Sequence, residues 1–142
     1  MASKREDILD AIKTALSGTV GVSSRIYRSR TIPLAQRSQL PALIIEWSND
    51  AAEQNTSLPT LDWSLSVTVT VLSSGDVPDE QADATVVSAH AKLMADLTLG
   101  GESIDIQPTN VTFEAIDGDS PIGVTGMGYT VRYRTEVDDI TQ

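Results

Sequence analysis

His90 is the only histidine in the 142-residue chain, so it is the first candidate for a catalytic base. A histidine base needs a nucleophile or a water molecule, and a third group that orients its ring. The chain has no Gly-x-Ser-x-Gly elbow to supply that nucleophile. His90 follows Val86 and precedes Leu93 at helical spacing, beside an apolar stripe. This pattern favours a hydrogen-bonded histidine at the edge of the core over a catalytic one.

Two acidic pairs have the chemistry of cation ligands: Asp117 with Asp119, and Asp138 with Asp139. A calcium loop places oxygen ligands at positions one, three and five and a glutamate at position twelve. Counted from Asp117, the fifth position is Pro121, which has no side-chain ligand. The chain also has no cysteine, which excludes disulfides, thiolate metal sites and cysteine nucleophiles. We therefore expect no metal site, no cofactor and no catalytic residue.

Three glycines near the C-terminus, Gly123, Gly126 and Gly128, have a spacing similar to that of a phosphate-binding loop. Such a loop must follow a strand and begin a helix. These glycines instead precede the alternating segment 127–135, which predicts a strand. We interpret them as flexibility before a strand rather than as a phosphate site.

Charge is distributed unevenly along the chain, whose net charge is −10. Residues 1–40 carry a net +4 and residues 41–142 a net −14. The overall acidity argues against duplex DNA as the main partner. Opposite charges in different regions permit head-to-tail pairing of identical copies or docking on a complementary protein. The simpler alternative is that the charges only keep the surface soluble.

One basic cluster stands out, and it consists of Arg25, Arg28, Arg30 and Arg37. Nucleic-acid binding would combine such a cluster with aromatic stacking groups, and only Tyr27 is nearby. Docking on an acidic protein surface, a solvated loop and nucleic-acid binding therefore all remain open, with docking preferred.

The first half of the chain predicts one helix and three strands. Ser3 and Glu6 form a capping-box pattern, and apolar residues at helical spacing follow as far as Leu16. Short strands are expected within 22–28 and over 42–47, the second one buried on both faces. The segments 29–40 and 48–59 are interpreted as loops. Strict alternation from 61 to 71 predicts a long, half-buried strand.

The second half predicts another helix followed by strands. Asp79 and Glu80 begin this helix, and its buried stripe consists of Ala82, Val86, Ala89, Leu93 and Leu97, with Met94 beside it. Gly100 and Gly101 supply the left-handed backbone that ends it. Alternation recurs at 104–106, 111–115 and 127–134, with a turn at 117–121 between the last two.

These elements predict a single α+β domain over residues 1–142: a mostly antiparallel mixed sheet with two helices packed on one face. Residues 138–142 are expected to form a flexible polar tail. The charged N-terminus argues against a signal peptide, and the longest apolar run, 42–45, is too short to span a membrane. An uncovered sheet face and open strand edges would be natural contact surfaces.

In this order of elements the chain resembles the tail terminator family of long-tailed phages. The similar features are a charged N-terminal helix, a loop ending at 39–45, a polar stretch with Glu53, and the strand 63–72. They continue with the helix entry 78–83, the helix end at 97–101 and the final strand 129–135. The resemblance covers nearly the whole chain. Each motif is short, and their order and spacing together make the similarity.

The resemblance implies a hexameric ring that caps the tail tube, stops tube polymerisation and provides the surface that joins the head. Its partners would be other copies, the tail tube protein and a head-tail connector or head-completion protein, with no membrane and no sequence-specific nucleic acid. It would lie at the head-proximal end of the virion tail after assembly in the bacterial cytoplasm. The candidate interface residues are our own inference: Arg28, Arg30, Arg37, Glu53, Arg132 and Arg134, with the polar segment 49–57 as a second contact.

Four other functions compete with this interpretation. Another phage neck or head-completion protein would have a similar size, and copy number in the virion would distinguish it. A tube subunit would polymerise into long tubes alone. A generic binding module and an enzyme are the remaining alternatives, and oligomeric state in solution is the first observation that separates them from a ring.

Overall fold

A computed structural model of the chain describes residues 2–19, 22, 26–28, 42–54, 59–74, 78–116 and 122–141. Its elements are helix α1 (Lys4–Ala15), strands β1 (Ile26–Arg28), β2 (Ala42–Glu53) and β3 (Thr60–Ser74), helix α2 (Pro78–Met94), a short 3-10 turn (Leu99–Gly101), and strands β4 (Asp105–Ile116) and β5 (Ile122–Glu136). The five strands form one sheet in the order β1-β2-β3-β5-β4. Only the β1–β2 pair is parallel. The α+β class with a mostly antiparallel sheet is therefore confirmed.

Helix α1 begins where the capping pattern predicts. Ser3 is the N-cap, and its Oγ accepts a hydrogen bond from the Glu6 backbone N–H at 3.2 Å. The helix buries Ile8, Leu9 and Ile12, which are at most 1% exposed. Ala11 and Ala15, predicted for the same stripe, only pack against the edge of the core. The helix therefore presents one apolar face to the sheet.

Strands β3 and β5 form the centre of the sheet and confirm the alternation. Both have 15 residues and pair in one continuous antiparallel register. Leu65 opposes Val131 and Val69 opposes Met127, and all four side chains are buried under the helices. Since successive side chains point to opposite faces, the serines and threonines between them lie on the other side of the sheet.

Strand β2 is twice the length that its apolar run indicates. It continues through the segment 48–53, which sequence patterns assigned to a loop. A bulge lies between Trp47 and Asn49, so the pairing with β3 shifts by one residue and then continues to Glu53. Cross-strand pairing with a long neighbour stabilises this polar half, whose sequence alone does not favour a strand. The prediction of burial on both faces for residues 42–45 is confirmed.

The glycines of β5 have a steric role, so the interpretation as flexibility before a strand is wrong. The strand begins at Ile122, and Gly126 and Gly128 lie inside it. A Cβ on Gly128 would collide with the Asn110 side chain of β4, and one on Gly126 would lie 3.0 Å from Thr112 Oγ1. The glycines leave space for these β4 side chains.

Three further predictions differ from the structure. Helix α2 ends at Met94, so Leu97 lies beyond it and is 41% exposed. Residues 104–106 and 111–115 were assigned to separate segments but belong to the single strand β4, which contains a bulge after Pro108. The polar tail is held in place over its described part, because the Ile140 carbonyl accepts a hydrogen bond from the Lys4 backbone N–H at 2.8 Å. In each case a tertiary contact or ladder pairing overrides a local pattern.

Candidate interaction surfaces

The sheet has a polar face, which we define as the side chains of β2, β3, β4 and β5 that point away from the helices. Both helices pack on the opposite side, where their buried residues join one core with those of β3 and β5. The polar face includes Asn49, Glu53, Ser64, Ser66, Thr68, Thr70, Asn110, Thr112, Thr130, Arg132 and Arg134, all partly or fully exposed. Hydroxyl and amide groups at this density form a flat surface that can bind another protein through hydrogen bonds.

Two of the sequence-predicted contact residues meet at one end of the polar face. Glu53, Asp62 and Arg134 occupy successive strands in the ladder. The Arg134 side chain donates to both Asp62 oxygens, from Nε at 2.7 Å and from Nη2 at 3.4 Å. Arg134 therefore has its charge matched within the chain, and an exposed ion pair of this kind contributes little to stability.

Arg132 differs from Arg134 in having an unmatched charge. Its Cα lies between those of Ser64 and Asp105 in the sheet, on the polar face, and the side chain is exposed. Its guanidinium forms no ion pair with any residue in the part of the chain that the structure describes. An arginine with free donors on a hydroxyl-rich surface can form bidentate contacts with a partner carboxylate.

Arg28 joins β1 to α1. Its guanidinium contacts the Glu6 carboxylate at 2.8 Å and the Asp10 carboxylate at 2.7 Å. Sequence reasoning assigned Arg28 to an intermolecular contact, but in the structure two carboxylates of its own chain already match its charge. Arg30 and Arg37, the other members of that hypothesis, lie outside the described residues, so it remains a prediction for them.

A buried polar cluster, which the sequence did not indicate, lies under the N-terminus of α1. The Asp50 side chain is only 4% exposed, lies 3.5 Å from the Arg5 guanidinium and accepts a hydrogen bond from the Tyr133 hydroxyl. The Arg5 guanidinium also lies 4.4 Å from the centre of the Trp47 ring. The Tyr133 ring stacks on Trp63 at 6.0 Å. This cluster ties the first turn of α1 to β2, β3 and β5.

The bulge in β2 creates this cluster. Trp47 and Asp50 are three positions apart, yet both oppose buried residues of β3 (Val67 and Leu65), because Ser48 is the extra residue. Burial raises the pKa of Asp50 above its ordinary value of 3.8, although Tyr133 and Arg5 oppose that shift. Asp50 Oδ1 is buried without a hydrogen-bond partner. The one sequence signal was the break in apolar–polar alternation between residues 47 and 50.

His90 is at the edge of the core, as its spacing indicates. Its Nδ1 lies 2.8 Å from the Tyr129 hydroxyl, and the two rings stack at 5.9 Å. Burial raises the pKa of Tyr129 to about 12, so this phenol remains a neutral hydrogen-bonding group at physiological pH. The prediction of a hydrogen-bonded boundary histidine is confirmed, and the pair closes one side of α2 against β5.

A groove of about 700 Å³ lies between α1 and the 3-10 turn. Four acidic side chains and one lysine line it: Asp7, Asp10, Asp96, Glu102 and Lys92. Two of these acids are already engaged, since Asp10 pairs with Arg28 and Glu102 with Lys4. Asp96 accepts hydrogen bonds from the Thr98 hydroxyl and from the backbone of Thr98 and Gly100. These bonds lower the pKa of Asp96 and fix the turn.

Among the described residues, no group of three or more histidine, cysteine or carboxylate side chains could hold a metal ion. Asp117 and Asp119 fall outside that part of the chain. The described helices include none with the length and apolar character needed to cross a bilayer.

No protein-family model matches the chain, and a comparison with curated proteins also finds no match.

Proposed function

We propose that this chain is a phage tail terminator, a protein that assembles as a hexameric ring, caps the tail tube, stops its polymerisation and presents the head-joining surface. The observation that carries the proposal is the polar face, a wide sheet surface on which neither described helix packs. The order of elements adds support, since it follows the layout of the family that the sequence resembles.

The physical argument concerns contact rather than chemistry. A flat surface of exposed hydroxyl groups with one unmatched arginine suits a polar protein interface that also binds water. A sheet that ends in two unlike edges suits association of copies through different surfaces, which closes into a ring when the rotation permits. The proposal therefore assigns function to surfaces and assigns no catalytic residue.

The first experiment measures assembly. The purified chain is examined by native mass spectrometry and negative-stain electron microscopy, alone and with polymerising tail tube protein. We expect six-membered rings, alone or at tube ends, and tubes that stop growing once capped. Long tubes formed by this chain alone would instead identify a tube subunit. A ring that joins heads without limiting tube length would identify another neck or head-completion protein.

A charge reversal tests whether the polar face makes the contact. Arg132→Glu should abolish capping because it replaces the unmatched cation of this face with an anion, while the fold is retained. Lys13→Glu is the matched control, since Lys13 is exposed on α1, away from the sheet. Equal capping by both variants would show that the polar face is not the contact surface.

A further inference from the structure

Strand β4 is an unusually long edge strand. It lies at the end of the sheet and pairs only with β5 among the described strands. It has 12 residues, whereas strands usually have about five or six. Every residue from 107 to 115 is exposed. An edge strand presents a row of unpaired backbone N–H and C=O groups, which makes it a template for another strand.

The second half of β4 lacks the usual protection of an edge. Soluble proteins guard edges with lysine, proline, bulges or short length. Pro108 and the bulge after it protect the first half. The following stretch, which we call the β4 edge (residues 110–116), contains no proline, lysine or arginine. Val111 is 65% exposed and Phe113 is 46% exposed. Large apolar side chains on an open edge indicate a surface that assembly covers.

The two edges of the sheet belong to oppositely charged parts of the chain. Residues 98–120 contain five acidic side chains and no basic one, and β4 lies within this stretch. Residues 22–40 contain four arginines and no acidic side chain, and β1 lies within that stretch. The strand order places β1 and β4 at opposite edges. One copy therefore offers an acidic edge where the next can offer a basic one.

We propose that the β4 edge is a docking strand for the β1 side of a second copy, in a head-to-tail contact. Backbone hydrogen bonds extend the sheet, the contact removes Val111 and Phe113 from water, and Glu114 faces a net basic partner. The contact uses different surfaces on the two copies, so it repeats around a ring. The inference rests on the proposed function, because it names the contact between ring subunits.

Photo-crosslinking tests which surface meets the β4 edge. A photoreactive benzoylphenylalanine replaces Phe113, and equal amounts of ¹⁴N- and ¹⁵N-labelled protein are mixed before irradiation. We expect mass spectrometry to find crosslinks to residues 22–40, half of them joining a light to a heavy copy. The same reaction is run on capped tubes, so it also reports on rings that form only there. Crosslinks to other regions of the chain, to the tube protein alone or within one copy would overturn the proposal.

Substitution then tests whether the contact holds the ring together. The double variant Val111→Lys/Phe113→Lys should weaken association at least tenfold in sedimentation velocity. Both side chains are exposed, so the monomer should keep its far-UV circular dichroism spectrum. Ile140→Lys is the matched control, since Ile140 is 48% exposed and lies near α1 instead of β4.

The outcomes separate this inference from the proposed function. Rings that form equally well in the double variant would overturn the docking strand and leave the terminator proposal standing. Wild-type protein that neither forms rings nor limits tubes would contradict the terminator proposal. A crosslink to residues 22–40 in that case would still support the docking strand, as a contact of a different assembly.

Discussion

At the scale of single residues, Asp50 is the group whose environment differs most from that of a surface carboxylate. Its side chain is buried in the sheet, where the Tyr133 hydroxyl and the Arg5 guanidinium contact one oxygen and no partner meets the other. Removing a charge from water costs more than imperfect pairing returns. Burial is therefore the largest cause of its raised pKa.

The raised pKa predicts a specific dependence of stability on pH. The folded state binds the Asp50 proton more tightly than the unfolded state does, so the contribution of this group is fully present below about pH 4 and is lost as pH rises through the folded-state pKa. Asp50→Asn cannot titrate. We expect the free energy of unfolding of the wild type, relative to this variant, to fall between about pH 4 and pH 7, as measured by urea unfolding.

An exposed carboxylate provides the comparison for this experiment. Asp83→Asn changes a side chain on the solvent side of α2 and should leave the pH dependence of the wild type unchanged. If Asp50→Asn and the wild type gave parallel curves over the same range, burial of Asp50 would not shift its proton affinity.

Glycine and arginine positions also take their meaning from partners distant in sequence. Gly128 makes room for a side chain of the neighbouring strand. Arg28 pairs with two carboxylates of α1, 18 and 22 positions earlier in the chain. Their residue types were visible in the sequence, but these roles depend on which strands and helices become neighbours.

At the scale of elements, α1 depends on its N-terminal cap. The first backbone N–H groups of a helix have no partner inside the helix, and the Ser3 hydroxyl satisfies that of Glu6. Ser3→Ala should lower the free energy of unfolding by about 0.5–2 kcal/mol, measured by chemical denaturation. Ser3→Asp keeps an acceptor at the cap and should retain most of the stability. Equal losses in both variants would mean that the hydroxyl does not act as a cap.

The strands divide into those that local sequence defines and those that pairing defines. Alternation marks β3 and β5 without ambiguity, because each has one face in the core. The second half of β2 and most of β4 are exposed on both faces, so no alternating pattern can mark them. Their backbone groups are satisfied by a long neighbour, which makes them strands despite polar sequences.

At the scale of the whole molecule, charge asymmetry predicts how association responds to salt. The acidic and basic edges attract each other across a solvent-exposed contact, and ions screen such contacts over about 10 Å at 0.1 M. Raising sodium chloride from about 0.05 to 0.5 M should therefore weaken ring formation several-fold in sedimentation velocity. The far-UV spectrum of the chain should not change over this range. Association that strengthens with salt would show that apolar contact alone drives it.

The sequence by itself determined the α+β class, the start of α1, the two central strands, the boundary histidine and the uneven distribution of charge. These features depend on residues within a few positions of one another, where periodicity and capping act. Only the tertiary structure decided the length of β2, the unity of β4, and the joining of Asp50 to Tyr133 across 83 positions. It also decided that β1 and β4 lie at opposite edges. Strand order sets these features, and strand order is chosen by packing the whole sheet under two helices.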